Sequence, residues 1–432
     1  MTIESLYREF LLSEGISTDT RKDIKGTLFF ALRGDNFDGN LFVSDALEKG
    51  CRLAITERKE LEGETGVVCV SSPLKVLQKM AHLHRMEVSP RVLAITGSNG
   101  KTTTKELVAL VLSRNFSVLA TSGNLNNHIG VPLTLLSINE EEVAVIEMGA
   151  NHPGEIRQLS EIAAPDMGLI TNIGKAHLEG FGNEEGVLKA KGELYEYLSG
   201  SGGNAIIDGR DPLLLKKAAE TGVGTLVIAP HGQLPVSGRI VKQTPFLELE
   251  LELDGTVYQL TTRLVGSYNL QNILLAAGVG FQFGIPAVSV IDAIGSYIPK
   301  NQRSQFVEGE RNRVILDSYN ANPSSMREAI KGVVSYATSP AMLILGDMAE
   351  LGDASIEEHR KLVQWIETLP VDRVLMMGPL FSEVCEPSSG MDVFRERSEL
   401  EAYLDSEKPE GYQILVKGSR VMELERLLPL IV

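Results

Sequence analysis

The chain lacks the features that mark several protein classes. It has three scattered cysteines in 432 residues, Cys51, Cys69 and Cys385. So few exclude a disulfide framework or a cysteine-based zinc site, and suit burial as small apolar side chains. No apolar run approaches the ~20 residues that span a bilayer, so no membrane insertion is expected. The first ten residues carry Glu4, Arg8 and Glu9, unlike a secretory signal. No low-complexity tract or internal repeat is visible. Positive charge is also short: 41 Lys and Arg against 57 Asp and Glu leave a net charge of −16. Nucleic-acid binding needs a basic face, so no nucleic-acid partner is expected. The chain reads as cytoplasmic, and any anionic ligand must be met by positive charge concentrated locally.

The composition is otherwise that of a globular protein, 43% hydrophobic and 23% charged. The length suits about three domains of ~150 residues. Residues 1–88 read as a small α/β unit, with strands over 27–32, 53–56 and 67–70 and a helix over 73–87. A second unit, 89–305, has apolar runs at 92–95, 118–120, 143–147, 167–171, 205–208 and 225–228. Helix-like segments separate several of them, which indicates a parallel sheet with crossover helices. Residues 246–253 and 257–264 flank Asp254-Gly255 and predict an antiparallel hairpin. A helix is expected over 269–283. A third unit, 306–432, carries strand-like runs at 313–316, 341–345, 373–376 and 413–416, each followed by a loop and a plausible helix. The fold class is α/β throughout.

Residues 91–104, Arg-Val-Leu-Ala-Ile-Thr-Gly-Ser-Asn-Gly-Lys-Thr-Thr-Thr, are the most informative. A buried strand leads into a glycine-bracketed loop, Gly97, Ser98, Asn99 and Gly100. Lys101, Thr102 and Thr103 then open a helix. Strand, loop and helix in this order make a phosphate cradle. The glycines allow the backbone to aim N–H groups at phosphate oxygens. Lys101 adds a mobile positive charge, and the Thr102 hydroxyl suits the Mg²⁺ that accompanies ATP. The usual phosphate loop would have glycine at position 95, where this chain has Ile95.

In open α/β sheets ligands gather at the carboxyl ends of strands. Glu147 ends such a strand and can hold a metal near phosphates; a salt-bridged or capping role is the alternative. His177 follows another strand, as a ligand or a packed residue. Lys189 and Lys191 on a helix suit a solvated face when taken alone. Asn269 can be an N-cap. Asn272, inside the first turn, needs a partner such as an adenine edge. The run 317–325, Asp-Ser-Tyr-Asn-Ala-Asn-Pro-Ser-Ser, clusters Asp317, Asn320 and Asn322 for a polar ligand or a turn. Lys417-Gly418-Ser419-Arg420 sits past the last strand, as a site or a surface turn.

Together these motifs resemble the Mur ligase family, in particular its MurF type. The resemblance is carried by 96–104, Gly123-Asn-Leu-Asn-Asn-His-Ile-Gly-Val-Pro132, Glu147-Met-Gly-Ala150, 171–180, Lys189-Ala-Lys-Gly-Glu193, 268–277 and 317–323. The absence of glycine at 95 fits this family. The resemblance implies three domains: one for a UDP-sugar, a central ATP-binding domain and a Rossmann-like domain for D-alanyl-D-alanine. It implies a ligase that phosphorylates the carboxylate of UDP-N-acetylmuramoyl-tripeptide with ATP and joins the acyl phosphate to the dipeptide amine, in peptidoglycan precursor synthesis. By position, Lys101 would meet the outer phosphates, and Thr102 and Glu147 one of two Mg²⁺ ions. His177 would serve the second, with Lys191 carried as a carbamate. Asn272 would meet adenine, Arg303 a phosphate and Asp317 the ribose or hinge. Asn126 and Asn127 would touch the sugar-peptide, and Asn320 and Asn322, with Lys417 and Ser419, the dipeptide. Thr18-Asp19-Thr20-Arg21 resembles the uridine motif Asp-Ser-Arg, with Thr20 for serine.

Two other readings compete. One is a sibling ligase or a folylpolyglutamate-type ligase that adds a single amino acid. The sibling's Asp-Asn-Pro-Arg motif is absent, and 317–323 favours the dipeptide. The other is an ATP-hydrolysing switch, which has no need of His177 and Lys191.

Overall fold

A computed structural model describes residues 1–34, 37–228, 235–336, 340–386 and 390–432, the side chain of residue 336 excepted. The N-terminal unit is built on four parallel strands, in the order Ile16–Ser17, Leu28–Phe30, Leu53–Thr56 and Val67–Cys69. The expected strands are there; the pairing of Ile16–Ser17 was too short to show as a periodic signal. Helix Pro73–Val88 starts on a Ser72 cap with proline at its first position. Its buried Leu77, Met80 and Ala81 join one apolar cluster with Leu28 and Phe30 on one side and Val92, Val131 and Leu135 on the other. The first unit is thus cemented to the second through this helix.

The central sheet has six parallel strands, in the order Gly224–Ile228, Asn204–Asp208, Met167–Ile170, Arg91–Thr96, Val143–Glu147 and Val118–Ala120. Arg91–Thr96 lies at its middle and is buried from Val92 onward. Both faces of the sheet are covered, so its strands read as continuous apolar runs rather than alternating ones. The acidic–apolar alternation of Glu248–Leu253 does make a hairpin with Thr256–Thr261, and a third antiparallel strand, Val236–Lys242, adds to it. Its inner leucines, Leu249, Leu251 and Leu253, meet helix Asn269–Gln282. That helix is buried nearly all round, which makes it a core element between sheet and hairpin.

The third sheet runs Gln305–Glu308, Arg313–Asp317, Gln413–Lys417, Ala341–Gly346, Arg373–Met377 and Asp392–Phe394. Its strands are parallel except Gln305–Glu308, which returns antiparallel along the edge. Helices pack on both faces in two apolar clusters. Ahead of it the chain is held in a conformation unusual for residues with side chains. Asn301, Gln302 and Ser304 all have positive φ, at 60°, 59° and 48°. Asp317 Oδ1 accepts from the Ser304 N–H at 3.0 Å, and the Tyr268 and Ser304 hydroxyls are 2.7 Å apart. Such backbone persists where its surroundings over-determine it.

Candidate active site

One cleft of about 1020 Å³ lies where the carboxyl ends of the central strands face the third unit. It is lined by Ser98 to Thr103, Asn126, Asn127, Glu147, His177, Asn272, Arg303, Asp317, Asn320, Asn322 and Lys417. The sequence candidates thus converge from two units. Gly97, Thr20, Arg21, Lys191 and Ser419 do not line it.

The loop is fixed by its neighbours. Gly97 has φ +139°, and a Cβ there would stand 2.0 Å from Thr171 Oγ1, so glycine is required for the approach. The Ser98 N–H donates to the Asn172 carbonyl at 3.0 Å, and the Asn99 N–H donates to Asn172 Oδ1 at 3.0 Å. These two amides are therefore bracing the loop rather than facing a ligand. The donors left for an anion are at the start of helix Lys101–Leu112, whose first-turn N–H groups have no partner within the helix. Lys101 Nζ folds back to the carbonyls of Gly97 and Ser98, at 2.7 and 3.3 Å. Burial pushes its pKa down, against the pull of Glu147.

Glu147 is 2% exposed, yet its carboxylate meets neutral donors, the Thr102 hydroxyl at 3.0 Å and the Asn126 amide at 2.8 Å. A buried carboxylate and hydroxyl side by side, opening on a phosphate cradle, are donors that suit Mg²⁺. Among the described residues no group of three or more His, Cys, Asp or Glu side chains has metal-binding spacing. Mg²⁺ commonly takes one or two carboxylates together with substrate phosphates, so Thr102 and Glu147 fit it.

Lys191 is 1% exposed, on helix Glu184–Ser201, which corrects the solvated-face reading; Lys189 beside it is exposed. Its Nζ donates to the Ala150 carbonyl at 3.2 Å and stands 5.3 Å from the Phe181 ring centre. Burial, aided by Lys101, holds its pKa well below the usual lysine value. Burial of this kind disfavours the ammonium form relative to the free amine. His177 caps the short helix Leu178–Phe181, with φ +52°, and its ring stands edge-on to Phe181.

Asn272 is 4% exposed and has protein partners. It accepts from the Thr104 hydroxyl at 3.1 Å and donates to Asn269 Oδ1 at 2.8 Å. Asn269 is not a side-chain cap; its amide donates to the Val265 carbonyl at 2.8 Å from inside the first turn. Asn127 caps the next helix through the N–H groups of Ile129 and Gly130. Asn322 accepts from the Ser325 N–H and donates to Asn99 Oδ1 at 2.8 Å, linking the third unit to the loop. The Lys175 N–H donates to Ser324 Oγ, and Lys175 Nζ pairs with Glu358 at 2.8 Å, so the two units are docked. Asn320 Oδ1 accepts from the Ala321 N–H at 2.8 Å, and the Asn320 carbonyl accepts from Lys417 Nζ at 3.2 Å. Arg303 lies over Tyr319, 3.7 Å from the ring centre. Lys417 is committed to Asp317, at 2.6 Å, and Ser419 donates to the Asp347 carbonyl away from the cleft. In the first unit Arg21 makes a two-pronged contact with Asp19, and the Thr20 carbonyl accepts from Lys49.

The sequence reading missed Glu350, which lines the cleft from the loop after Ala341–Gly346. The strand was identified, but its following segment, Asp347-Met-Ala-Glu-Leu-Gly352, is half apolar and gave no local signal for Glu350. Asp208 and Arg210, also at the cleft, form a bidentate pair past another identified strand.

The description of the Mur ligase middle domain matches residues 95–280. That of the Mur ligase C-terminal part, named as a glutamate ligase domain, matches residues 302–420. The chain belongs to the Mur ligase family. Among its Mur ligase relatives, the UDP-N-acetylmuramoyl-tripeptide–D-alanyl-D-alanine ligase of Bacillus subtilis is 33% identical, over 99% of this chain and 94% of that protein. The crystal structure of MurF from Acinetobacter baumannii superposes with a TM-score of 0.90 at 30% identity, over 99% of this chain and 98% of that one. MurF of Thermotoga maritima in complex with ADP has a TM-score of 0.86 at 28% identity, over 97% of each.

Proposed function

We propose that the chain is the ATP-dependent ligase that adds D-alanyl-D-alanine to UDP-N-acetylmuramoyl-tripeptide in peptidoglycan precursor synthesis. The observation that carries this reading is the phosphate cradle, with Lys101, Thr102 and Glu147, opening on a cleft that the third unit covers. Relatives named for this activity match nearly the whole chain, which supports the dipeptide over a single amino acid. No helix among the described residues is long and apolar enough to cross a membrane.

The chemical problem is electrostatic, because a carboxylate must attack an anionic triphosphate. Lys101 swings from its own loop carbonyls to the outer phosphates, and first-turn N–H groups take the remaining oxygens. Thr102 and Glu147 would hold one Mg²⁺, and His177 with a carbamate on Lys191 would serve a second. Bound there, Mg²⁺ supplies charge neutralisation for the transferring phosphoryl group. The uncharged amine is the form that CO₂ modifies, and the burial of Lys191 shifts it toward that form. Asn272 reaches adenine with what its amide has left after Thr104 and Asn269, and Arg303 meets phosphate. Asp317, already tied to Ser304 and Lys417, positions the joint and borders the ribose. Asn126 and Asn127 border the sugar-peptide, and Thr20 and Arg21 meet the uridine end. Asn320 and Asn322, with Lys417 behind them, hold the dipeptide, and Ser419 acts through Asp347. Docking of the third unit excludes water from the acyl phosphate until the dipeptide amine displaces phosphate.

ADP release with ATP and UDP-N-acetylmuramoyl-tripeptide, measured with and without D-alanyl-D-alanine, tests the reading. Turnover that requires the dipeptide is expected. Steady ADP release without it would indicate an ATP-hydrolysing switch and overturn the proposal.

A further inference from the structure

We infer that Glu350 is the third unit's ligand for the cation that His177 faces, so that this site is complete only when the third unit is docked. The inference rests on the ligase reading above. Glu350 Oε2 stands 2.8 Å from His177 Nδ1 across the boundary between the units. That nitrogen is buried and has no partner in hydrogen-bond geometry. With the imidazole protonated the two form an ion pair; a cation between them would take the place of that proton. Two neighbouring ligands of an octahedral Mg²⁺, each ~2.1 Å from the ion, are themselves about 3 Å apart. The observed spacing is close to that. The amine of Lys191 is on the same aromatic ring, Phe181, that His177 meets edge-on. Imidazole, carboxylate and a lysine carbamate would give the ion three donors of suitable chemistry.

The contact is built rather than incidental. Glu350 has φ +64°, a strained setting for a residue with a side chain. The loop that presents it is pinned at its start. Asp347 accepts from the N–H groups of Leu380 and Phe381, both at 2.9 Å. The Met348 N–H donates to His359 Nε2 at 2.9 Å, and His359 Nδ1 donates to the Ser355 carbonyl. At its end, Leu351 shares an apolar cluster with Leu178, next to His177. A Cβ on Gly352 would come within 3.1 Å of Glu179, so these two segments are seated closely.

The test uses Mn²⁺ as the probe on the full chain, with a non-hydrolysable ATP analogue and UDP-N-acetylmuramoyl-tripeptide. Free Mn²⁺ is counted by electron paramagnetic resonance. The wild type is expected to hold two Mn²⁺. In Glu350→Ala the weaker site should lose affinity by about 10–100-fold, the scale seen when a metal's supporting partners are removed. The tighter site and the affinity for the analogue should not change. Should Glu350→Ala melt early, Glu350→Gln, which keeps the shape and loses the charge, carries the measurement and should also weaken that site. Unchanged or tighter Mn²⁺ binding in a folded variant, or a single Mn²⁺ in the wild type, would overturn the inference. Loss of the second Mn²⁺ in a protein whose ADP release ignores the dipeptide would keep the metal role and refute the ligase reading instead.

Discussion

Gly100→Ala probes how the phosphate loop is held. Gly100 has φ +77°, and a Cβ there would stand 2.5 Å from Asn272 Oδ1. The left-handed backbone alone costs an alanine about 1–2 kcal/mol. The clash adds to this, because Asn272 is committed to Thr104 and Asn269. Displacing it disturbs two hydrogen bonds of about 1 kcal/mol each. The expected loss of stability is therefore about 2–4 kcal/mol. In an Asn272→Ala background the obstacle is gone, and Gly100→Ala should cost only the ~1–2 kcal/mol of backbone strain. Denaturant unfolding of the four proteins gives the coupling directly, with about 1–2 kcal/mol expected. Calorimetry with ADP provides a second readout, in which Gly100→Ala alone should weaken binding by at least ~10-fold, or about 1.4 kcal/mol. A Gly100→Ala protein within ~0.5 kcal/mol of wild type, or strictly additive effects, would refute the reasoning.

Other outcomes follow from the same geometry. Lys191→Ala should lose most ligase activity, and added bicarbonate should not restore it; wild-type turnover would remove the carbamate role. Glu358→Ala removes the buried partner of a pair whose Lys175 is open to water at the docked boundary; with the lysine left solvated the cost is up to ~1 kcal/mol. KM for the dipeptide should rise by up to ~5-fold with ADP affinity unchanged, and a shift in ADP affinity would contradict this. Burial pushes the thiols of Cys51 and Cys385 up to about 11. Both are protonated at pH 8 and become reactive only as the pH rises toward that value. Iodoacetamide should therefore label them slowly in the native protein at pH 8, as read by intact mass. Fast labelling there would contradict the burial described.

Much of this architecture is written locally in the chain. The run 92–95 is apolar at every position because its strand is covered on both faces, and the glycines after it are needed for close approach and positive φ. The alternation in 248–253 reports a strand with one wet face. What escaped depends on distant partners. Val236–Lys242 has no pattern of its own and is a strand because Glu248–Leu253 offers it an edge. Gln305–Glu308 joins the third sheet in the same way. The burial of Lys191 is decided by what covers its helix, and Asn269 bonds a carbonyl four residues back instead of capping. Glu350 was silent because its significance lies in His177, which another unit contributes. The polar cluster 317–325 does line the cleft, but the sequence did not show that Asn322 would cap a helix and reach Asn99 at once.

The central claim is that the cradle at Lys101 grips a triphosphate whose terminal group passes to a peptide acid. The direct measurement follows an oxygen atom. UDP-N-acetylmuramoyl-tripeptide labelled with oxygen-18 in its terminal carboxylate is turned over with ATP and D-alanyl-D-alanine, and the released phosphate is weighed by mass spectrometry. Phosphoryl transfer to the carboxylate predicts that labelled oxygen leaves with phosphate as the amide forms. Unlabelled phosphate from a fully labelled substrate would mean that water takes the phosphoryl group, and would contradict the account.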